Sequence, residues 1–319
     1  MRISVAICTW NRSRLLARAL RSLMSQRMTR EDSWEVLVVN NSCTDDTDSV
    51  VGTFAGCLPV RTLSEPRPGL SNARNRALAN ASGEYIIWTD DDVTVCGDWL
   101  SAYVEAFRRW PNHGIFGGPI RPTFEGKPPG WLLSVWPQVE TAYAIRDFGP
   151  TEQELSVEER RLPFGANYAI RTDLQRSHPY DPVLGRSPGN LFLGGEEIAV
   201  IQTIMSEGSP GRWVPKAAVN HWVPKSRQST RYIRNYWRGQ GELEATSVDL
   251  RSHPRLLGVP RWIVRVCMEQ ELKYRLGRLF SPPEVWIKQL KDAGHASGLL
   301  SAARARRSLP VSRERHSAV

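Results

Sequence analysis

Two spacings of apolar side chains alternate along the first hundred residues. Continuous apolar runs predict strands at RISVAICTW, WEVLVVNN and GEYIIWT, and a shorter strand is predicted at PVRTLSE. Helical spacing or helix-start residues predict helices between them at RSRLLARALRSLMSQ, CTDDTDSVVGTFAG and LSNARNRALANASG. Strands that are nearly all apolar and alternate with helices are typical of a parallel sheet covered on both faces. The pattern therefore predicts an α/β fold.

Polar residues follow these strands at their carboxyl ends, where parallel sheets bind ligands. They are Thr9 to Asn11, Asn40 and Asn41, Glu65, and the run Asp90, Asp91 and Asp92. No GxGxxG sequence follows the first predicted strand, and the P-loop pattern GxxxxGKS/T occurs nowhere in the chain. A nucleotide would therefore have to bind through side chains and a metal ion.

The three aspartates suggest that metal site. Adjacent carboxyl groups raise one another's pKa unless a cation lies among them. Mg²⁺ and Mn²⁺ prefer oxygen ligands, and Mg²⁺ is usually held by one or two carboxylates together with substrate phosphate oxygens. Because side chains alternate along an extended segment, Asp90 and Asp92 are predicted to share one side and Asp91 to face the other. An acidic loop without a ligand is the alternative.

Composition narrows the class of protein. The chain of 319 residues is 41% hydrophobic and 24% charged, as in an ordinary globular protein. No apolar stretch approaches the roughly 18 residues of a membrane span, so we predict a cytoplasmic protein without a signal peptide. Five scattered cysteines without a CxxC pair indicate reduced thiols, not a disulfide framework or a zinc site.

The net charge of +9 is unevenly placed. Residues 251–319 hold 14 Lys and Arg against 5 Asp and Glu, whereas residues 1–250 hold 28 of each kind. This asymmetry predicts that a basic C-terminal segment docks on an anionic membrane surface, such as the inner face of the membrane, or on an acidic partner. The alternative is a solvated face with a flexible end from about residue 300. Nucleic acid is not an expected partner, because the tail lacks a recognised motif and interleaved aromatic residues.

Six segments of the chain resemble, in order, the motif series of family 2 glycosyltransferases, over about residues 2–240. The segments are SVAICTWNR, VLVVNNSCTDDT, RPGLSNARNRAL, GEYIIWTDDDV, PFGANYAIR and FLGGEE. The resemblance implies the GT-A fold, a Rossmann-like nucleotide-binding domain with a mainly parallel sheet flanked by helices. It also implies inverting transfer from a nucleotide-diphosphate sugar, commonly a UDP-sugar, with Mg²⁺ or Mn²⁺ at the motif Asp90-Asp91-Asp92.

The resemblance also implies which residues contact the donor. The matching positions are Thr9, Asn11, Arg12, Asn40, Arg74, Asp90, Asp91, Asn167, Glu196 and Arg227. The first three match the segment that cups the base, and Asp90 would contact ribose or metal. Asn40 stands where many members have an aspartate that contacts the nucleobase. An amide donates as well as accepts hydrogen bonds, so uracil is inferred less firmly from this position.

Two of these positions, Arg74 and Arg227, have alternatives to a donor contact. Arg74 matches the arginine that reaches the nucleotide, but it could be a solvent-facing helix residue. Asn167 lies in the segment that lines the donor-sugar and acceptor cleft. Arg227 is a candidate clamp for the diphosphate, since a guanidinium binds phosphate bidentately. The spacing of Arg227, Arg231, Arg234 and Arg238 is also typical of a solvated helix stripe.

The second half of the chain supplies a predicted catalytic base. Glu196 and Glu197 begin a predicted helix, where the macrodipole favours negative charge, and this alone could explain them. The family's pair here is usually Glu-Asp with the second acid as base, so Glu197 is the predicted base and differs by one methylene. Asp92 and Asp90 are predicted metal ligands, and the resemblance implies that His221 completes the metal site or touches the diphosphate. A packed or capped histidine is the alternative for His221.

The predicted organisation is a GT-A domain at 1–245 and a basic helical extension at 246–319. Within the domain we predict a nucleotide-binding half at 1–100 and an acceptor and catalytic half at 101–245. Residues 124–162 break the α/β rhythm and are interpreted as an insertion over the active site. Within it, Trp131 and Trp136 could stack on sugar rings, accept a lipid chain or simply pack.

Together these observations predict a metal-dependent inverting glycosyltransferase, either hexosyl- or N-acetylhexosaminyl-transferring, in glycan, glycolipid or secondary-metabolite biosynthesis. The acceptor is an unidentified hydroxyl group. Two other classes stay open. A nucleotidyltransferase of sugar phosphates would usually open with a Gly-rich loop carrying Arg and Lys, which SVAICTWNR lacks. The presence of Asp90, Asp92 and Glu197 argues against a catalytically silent sugar-binding protein.

Overall fold

The computed structural model describes residues 1–186, 194–245, 254–256 and 258–305. The strands are β1 (Arg2–Thr9), β2 (Ser33–Asn40), β3 (Val60–Ser64), β4 (Tyr85–Asp90), β5 (Val93–Val95), β6 (Ile115–Gly117), β7 (Ile120–Phe124), β8 (Asn167–Arg171), β9 (Gly211–Trp213), β10 (Val219–Val223), β11 (Arg255–Leu256) and β12 (Val259–Pro260). The α-helices are α1 (Ser13–Leu23), α2 (Thr47–Gly52), α3 (Leu70–Asn80), α4 (Trp99–Arg109), α5 (Gly130–Ser134), α6 (Trp136–Val139), α7 (Thr172–Ser177), α8 (Glu196–Ser206), α9 (Thr230–Glu244), α10 (Arg261–Phe280) and α11 (Pro283–Ala305).

The chain divides into two compact units, each built from two stretches. The first unit comprises Met1–Gly126 and Tyr143–Pro224, and the second comprises Lys127–Ala142 and Lys225–Val319. This division falls at residue 225, not at the expected boundary after 245. It also splits the expected insertion, because residues 127–142 belong to the second unit and 143–162 to the first. The latter stretch contributes Leu155 and Leu162 to the hydrophobic core of the first unit.

A seven-stranded sheet organises the first unit, in the order β3-β2-β1-β4-β8-β6-β9. β1 runs parallel to β2 and β4, and β2 runs parallel to β3. β8 is antiparallel to both β4 and β6, while β6 and β9 are parallel. The prediction of an α/β fold with a mainly parallel sheet flanked by helices is confirmed.

The register of the sheet places the predicted polar residues together. Thr9 pairs with Asn40 across β1 and β2, and Cys8 pairs with Asp90 across β1 and β4. Because these strands are parallel, their carboxyl ends meet at one edge of the sheet. The apolar residues before them are almost completely buried, as their continuous apolar pattern predicts.

A smaller sheet of the first unit has the order β5-β10-β7. In its antiparallel pair, His221 of β10 lies opposite Val93 of β5. The backbone N–H of Trp222 donates to the carbonyl oxygen of Asp92 at 2.8 Å. This pairing ties the end of the aspartate run to the strand that carries His221.

The second unit is mainly helical, as predicted for the C-terminal segment. The helices α9 and α11 approach closely at Gly298. A Cβ added to this glycine would lie 2.0 Å from the carbonyl oxygen of Arg238, so only glycine fits there. The rings of Trp131 in α5 and Trp286 in α11 have centroids 5.5 Å apart, so Trp131 packs within this unit. The helix α11 continues to Ala305, and the rest of the predicted flexible end lies outside the described residues. None of the described helices combines the length and hydrophobicity that crossing a bilayer requires.

Candidate functional site

The aspartate run ends β4 and turns into β5, so it is not an extended segment throughout. Asp91 and Asp92 form the turn, and Arg12 Nη1 donates to Asp91 Oδ1 at 3.0 Å and to Asp92 Oδ2 at 3.1 Å. Thr9 Oγ1 donates to Asp91 Oδ2 at 2.8 Å. Asp91 is predicted to face away from Asp92. This prediction is wrong, because a turn does not impose the alternation of side chains that a strand has.

Asp92 also meets the predicted histidine. Its Oδ1 lies 3.2 Å from Nε2 of His221, and both side chains are buried. Nδ1 of His221 is buried and has no hydrogen-bond partner among the described residues. The structure therefore brings this histidine to the aspartate run, as the sequence predicts, while its role as a metal ligand stays a prediction.

Burial dominates the electrostatics of the aspartate run. It raises the pKa of Asp90, the Asp92 carboxylate raises that pKa further, and Arg74, Arg186 and His221 oppose the rise. Burial also raises the pKa of Asp91 to about 6, against the lowering effect of the Arg12 guanidinium. Carboxyl groups in these surroundings resist ionisation, and a nearby cation would relieve that cost.

The aspartate run is the candidate site for a divalent cation. Within the described ranges, no group of three or more His, Cys, Asp or Glu side chains is arranged to hold a metal ion. Asp90 and Asp92 nevertheless supply the one or two carboxylates by which Mg²⁺ is usually bound when substrate phosphates complete its shell. A cation bound there would need substrate phosphates to complete its shell, and the Mg²⁺ or Mn²⁺ site stays a prediction.

Two of the residues predicted to bind the base shape a loop after β2. Asn11 has a left-handed backbone, with φ of 53°, and its Oδ1 accepts a hydrogen bond from Thr44 N at 2.7 Å. Asn40 Oδ1 accepts from Cys43 N at 2.8 Å, and its Nδ2 donates to Asp48 Oδ1 at 2.9 Å. Both polar atoms of the Asn40 amide thus hold this loop in place. Sequence reasoning missed the contributions of Thr44 and Cys43, since a single polar residue in a loop carries no periodic signal.

Arg74 lies at the centre of a second group of residues. Its side chain is 4% exposed, and Nη1 is 2.8 Å from Glu196 Oε1 and 3.8 Å from Glu197 Oε2. The alternative of a solvent-facing helix arginine is therefore wrong. The backbone N–H of Gly165 donates to Glu197 Oε1 at 3.1 Å, and its carbonyl oxygen lies 3.4 Å from Arg74 Nη2. The segments that carry PFGANYAIR and GGEE thus meet around one arginine.

The two glutamates at the start of α8 differ in their surroundings. Burial raises the pKa of Glu196 to about 7, the neighbouring Glu197 raises it further, and Arg74 opposes the rise. Oε2 of Glu196 is buried and has no hydrogen-bond partner among the described residues. The helix dipole alone would treat the pair alike, so it does not explain this arrangement.

Asn167 is fully occupied within the protein. Its Oδ1 accepts from Trp99 Nε1 and Tyr103 Oη, both at 2.9 Å. Its Nδ2 donates to the carbonyl oxygens of Pro119 at 3.0 Å and Ala217 at 2.7 Å. Because the side chain is completely buried and its hydrogen-bonding capacity is used, the geometry assigns Asn167 to holding neighbouring loops in place of the predicted ligand contact.

Arg227 belongs to the second unit, where it lies in the 3-10 helical turn Lys225–Arg227. Its guanidinium carbon is 5.8 Å from the centroid of the Tyr232 ring, and its role at a diphosphate stays a prediction. Two other arginines of its predicted stripe make specific pairs. Arg234 bonds to Glu271, and Arg238 Nε donates to Glu242 Oε1 at 3.1 Å.

Sequence reasoning missed Arg186. The charge of this exposed arginine opposes the rise in the pKa of both Asp90 and Glu196. It follows Gly185, whose φ of 90° is left-handed. A lone arginine in a loop gives no sequence signal, because its partners lie about ten to a hundred residues away.

A family model and a related protein both match this chain. Residues 4–162 match the family model for Glycosyl transferase family 2. The succinoglycan biosynthesis protein ExoM of Rhizobium meliloti is 27% identical to this chain over 246 residues, which are 75% of this chain and 74% of ExoM.

Solved structures share the fold. The crystal structure of S. aureus TarS 1-349 in complex with UDP aligns with a TM-score of 0.55 and 16% identity, covering 98% of this chain and 93% of that chain. The mannosyltransferase PcManGT from Pyrobaculum calidifontis, in complex with GDP-Man and Mn²⁺, aligns with a TM-score of 0.53 and 19% identity, covering 97% and 76%. These likenesses confirm the expected GT-A architecture.

Proposed function

Because the chain belongs to glycosyl transferase family 2, we propose that it transfers a hexosyl or N-acetylhexosaminyl group from a nucleotide-diphosphate sugar to an acceptor hydroxyl group. A UDP-sugar is the favoured donor, and the product belongs to glycan, glycolipid or secondary-metabolite biosynthesis. The observation that carries this proposal is the proximity of the aspartate run to the Arg74–Glu196–Glu197 group. The guanidinium carbon of Arg74 lies 6.0 Å from the ring centroid of Trp88, two residues before Asp90 in β4, and its charge opposes the rise in the pKa of Asp90.

The aspartate run is proposed to bind the diphosphate through Mg²⁺ or Mn²⁺. Asp90 and Asp92 would hold the cation, and His221 would complete its shell or contact the diphosphate. The cation would supply charge stabilisation of the departing nucleoside diphosphate. Arg12 is already hydrogen-bonded to Asp91 and Asp92, so it fixes these carboxylates and leaves less negative charge to repel the donor.

The remaining donor contacts follow from the edge of the sheet. Thr9, Asn11 and Asn40 would line the base, and Asp90 would contact the ribose if it does not bind the cation. Arg186 is proposed as a further diphosphate contact, because it is exposed and its charge acts on both acidic groups. The UDP complex of TarS supports a uridine donor, while the GDP-Man complex of PcManGT supports the broader class of nucleotide sugars.

Glu197 is proposed as the base. As the acceptor oxygen attacks the anomeric carbon, Glu197 takes its proton and the bond between that carbon and the diphosphate oxygen breaks, which inverts the configuration. Glu197 is more exposed than Glu196 and is oriented by the N–H of Gly165. Glu196, which is buried against Arg74, is proposed to position that arginine and the loop beside it.

The test is incubation of the purified protein with a panel of nucleotide sugars and Mn²⁺. Release of nucleoside diphosphate is the expected result, with a UDP-sugar as the best donor and loss of release in excess chelator. The variant Asp92→Asn should lose donor binding, whereas Asp98→Asn, at an exposed site six residues later, should retain it. Pyrophosphate release from a nucleoside triphosphate would identify a nucleotidyltransferase instead. If neither the nucleotide sugars nor the nucleoside triphosphates react, the result would support a silent sugar-binding protein.

A further inference from the structure

One face of α10 carries a row of exposed apolar side chains, here called the α10 stripe. The stripe consists of Met268, Leu272, Leu276, Leu279 and Phe280, which are between 49% and 81% exposed. Met268, Leu272, Leu276 and Phe280 recur every four residues, and Leu279 lies three residues after Leu276, which places all five on one side of the helix. Single exposed apolar residues are ordinary, but a contiguous row of five large ones marks an interaction surface.

The opposite face of α10 is packed within the second unit. Ile263 is buried, and a Cβ on Gly277 would lie 1.7 Å from Oε1 of Gln289 in α11. Glu271 of α10 bonds to Arg234 of α9. These contacts fix the rotation of α10 about its axis, so the stripe is exposed while the helix is held by its other side.

The charges beside the stripe are positive. Arg261 and Arg265 are exposed and continue its spacing toward the start of α10, seven and three residues before Met268. Glu269 is paired with Lys273 at 2.7 Å, and Glu271 with Arg275 at 2.9 Å, which offsets the acidic groups of this helix. The whole net charge of +9 lies in residues 251–319, the segment that contains α10.

We propose that the α10 stripe, with Arg261 and Arg265, is a docking surface for an anionic lipid bilayer. An amphipathic helix with apolar side chains on one face and basic residues beside them lies in the membrane interface with that face buried among the headgroups and upper acyl chains. Anionic headgroups attract the basic segment at the same time. A second copy of the chain fits this surface less well, because pairing would bring two strongly basic segments together. This inference goes beyond sugar transfer and does not depend on it.

The test is flotation of the full chain with vesicles of phosphatidylcholine, with and without about 30 mol% phosphatidylglycerol, at low and at high salt. The double variant Leu272→Gln/Leu279→Gln is expected to lower the partition coefficient by about tenfold or more, because two apolar side chains no longer insert into the bilayer. The variant Arg261→Gln/Arg265→Gln should weaken binding to the anionic vesicles and flatten the dependence on salt. Met24→Gln, at an exposed apolar site of the first unit, is the matched control and should bind as the parent does. Thermal melting checks that each variant is folded.

Several results would overturn the proposal. Equal vesicle binding by the parent and by the stripe variant would exclude the stripe as the docking surface. Loss of binding only when Arg306, Arg307, Arg313 and Arg315 are changed to Gln would assign docking to the tail instead. Concentration-dependent dimers in light scattering that disappear in the stripe variant, without vesicle binding by the parent, would assign the stripe to a second copy.

Discussion

Glu196 and Glu197 are adjacent in the chain, yet their carboxyl groups have different partners. Glu196 forms a buried ion pair with Arg74 at 2.8 Å, while Glu197 is held by the N–H of Gly165. Glu196 is the nearest carboxyl group to the buried guanidinium of Arg74, whereas Glu197 lies 3.8 Å from that guanidinium and is more exposed. We therefore expect the variants Glu196→Gln and Glu197→Gln to have different phenotypes.

We expect Glu197→Gln to retain the fold and donor affinity but to lower turnover by roughly 10²- to 10⁴-fold, the usual contribution of a positioned base. Single-turnover kinetics and donor titration separate the two effects. Glu207→Gln is the matched control, because Glu207 lies at the other end of the same helix and is 60% exposed. Parent-like turnover of the Glu197 variant would remove it as the base, and retention of configuration in the product would point to a different mechanism.

The raised pKa of Glu196 predicts a dependence of stability on pH. Burial moves that pKa from its ordinary value of 4.5 to about 7, so between these values the folded state binds more protons than the unfolded state. Stability from this group is therefore greatest below about pH 4.5 and falls as the pH rises toward 7, by on the order of 1–3 kcal/mol. Denaturant unfolding of the ligand-free protein at several pH values measures this slope. The variant Glu196→Gln should have a shallower slope, and an unchanged slope would contradict the assignment.

At the scale of elements, Gly165 sets the distance between its loop and α8. A Cβ at this position would lie 2.6 Å from Arg74 Nη2 and 3.2 Å from Glu197 Oε1. We therefore expect Gly165→Ala to lower the free energy of unfolding by about 1–3 kcal/mol and to slow turnover, because overpacking displaces both side chains. Gly97→Ala is the control, since no atom lies within 4 Å of its added Cβ. Equal stability and activity of the two variants would show that the loop relaxes freely.

The elements near the start of the chain were predictable because their signals are local. Apolar runs and helical spacing give β1, β2 and β4 with the helices between them, and parallel pairing then places Thr9, Asn40 and Asp90 at one edge. The sheet β5-β10-β7 was not predictable in this way, since β5 has three residues and its partner lies about 125 residues later. The same limit applies to Asn167, whose motif suggested a ligand contact but whose environment depends on four distant residues.

For the whole molecule, donor binding should appear as added stability. A ligand that binds only the folded state at a hundred times its Kd adds about 2.7 kcal/mol. We expect UDP with Mn²⁺ to raise the unfolding temperature more than either compound alone, because the diphosphate and the aspartates repel each other without the cation. Calorimetry of the parent and of Asp92→Asn measures the difference, with Asp98→Asn as the control. The same shift with UDP in excess chelator would contradict the proposed metal dependence.

The interleaving of the two units has a consequence for synthesis. Residues 127–142 belong to the second unit and bury Leu132, Val135 and Val139, yet Trp131 packs on Trp286, which emerges from the ribosome 155 residues later. At translation rates of about 5–20 residues per second, the delay is roughly 8–30 s. Throughout this interval Trp131 lacks its partner Trp286, while the second half of the first unit is made. We therefore expect chaperones to bind this segment during synthesis, before Trp286 is available to Trp131.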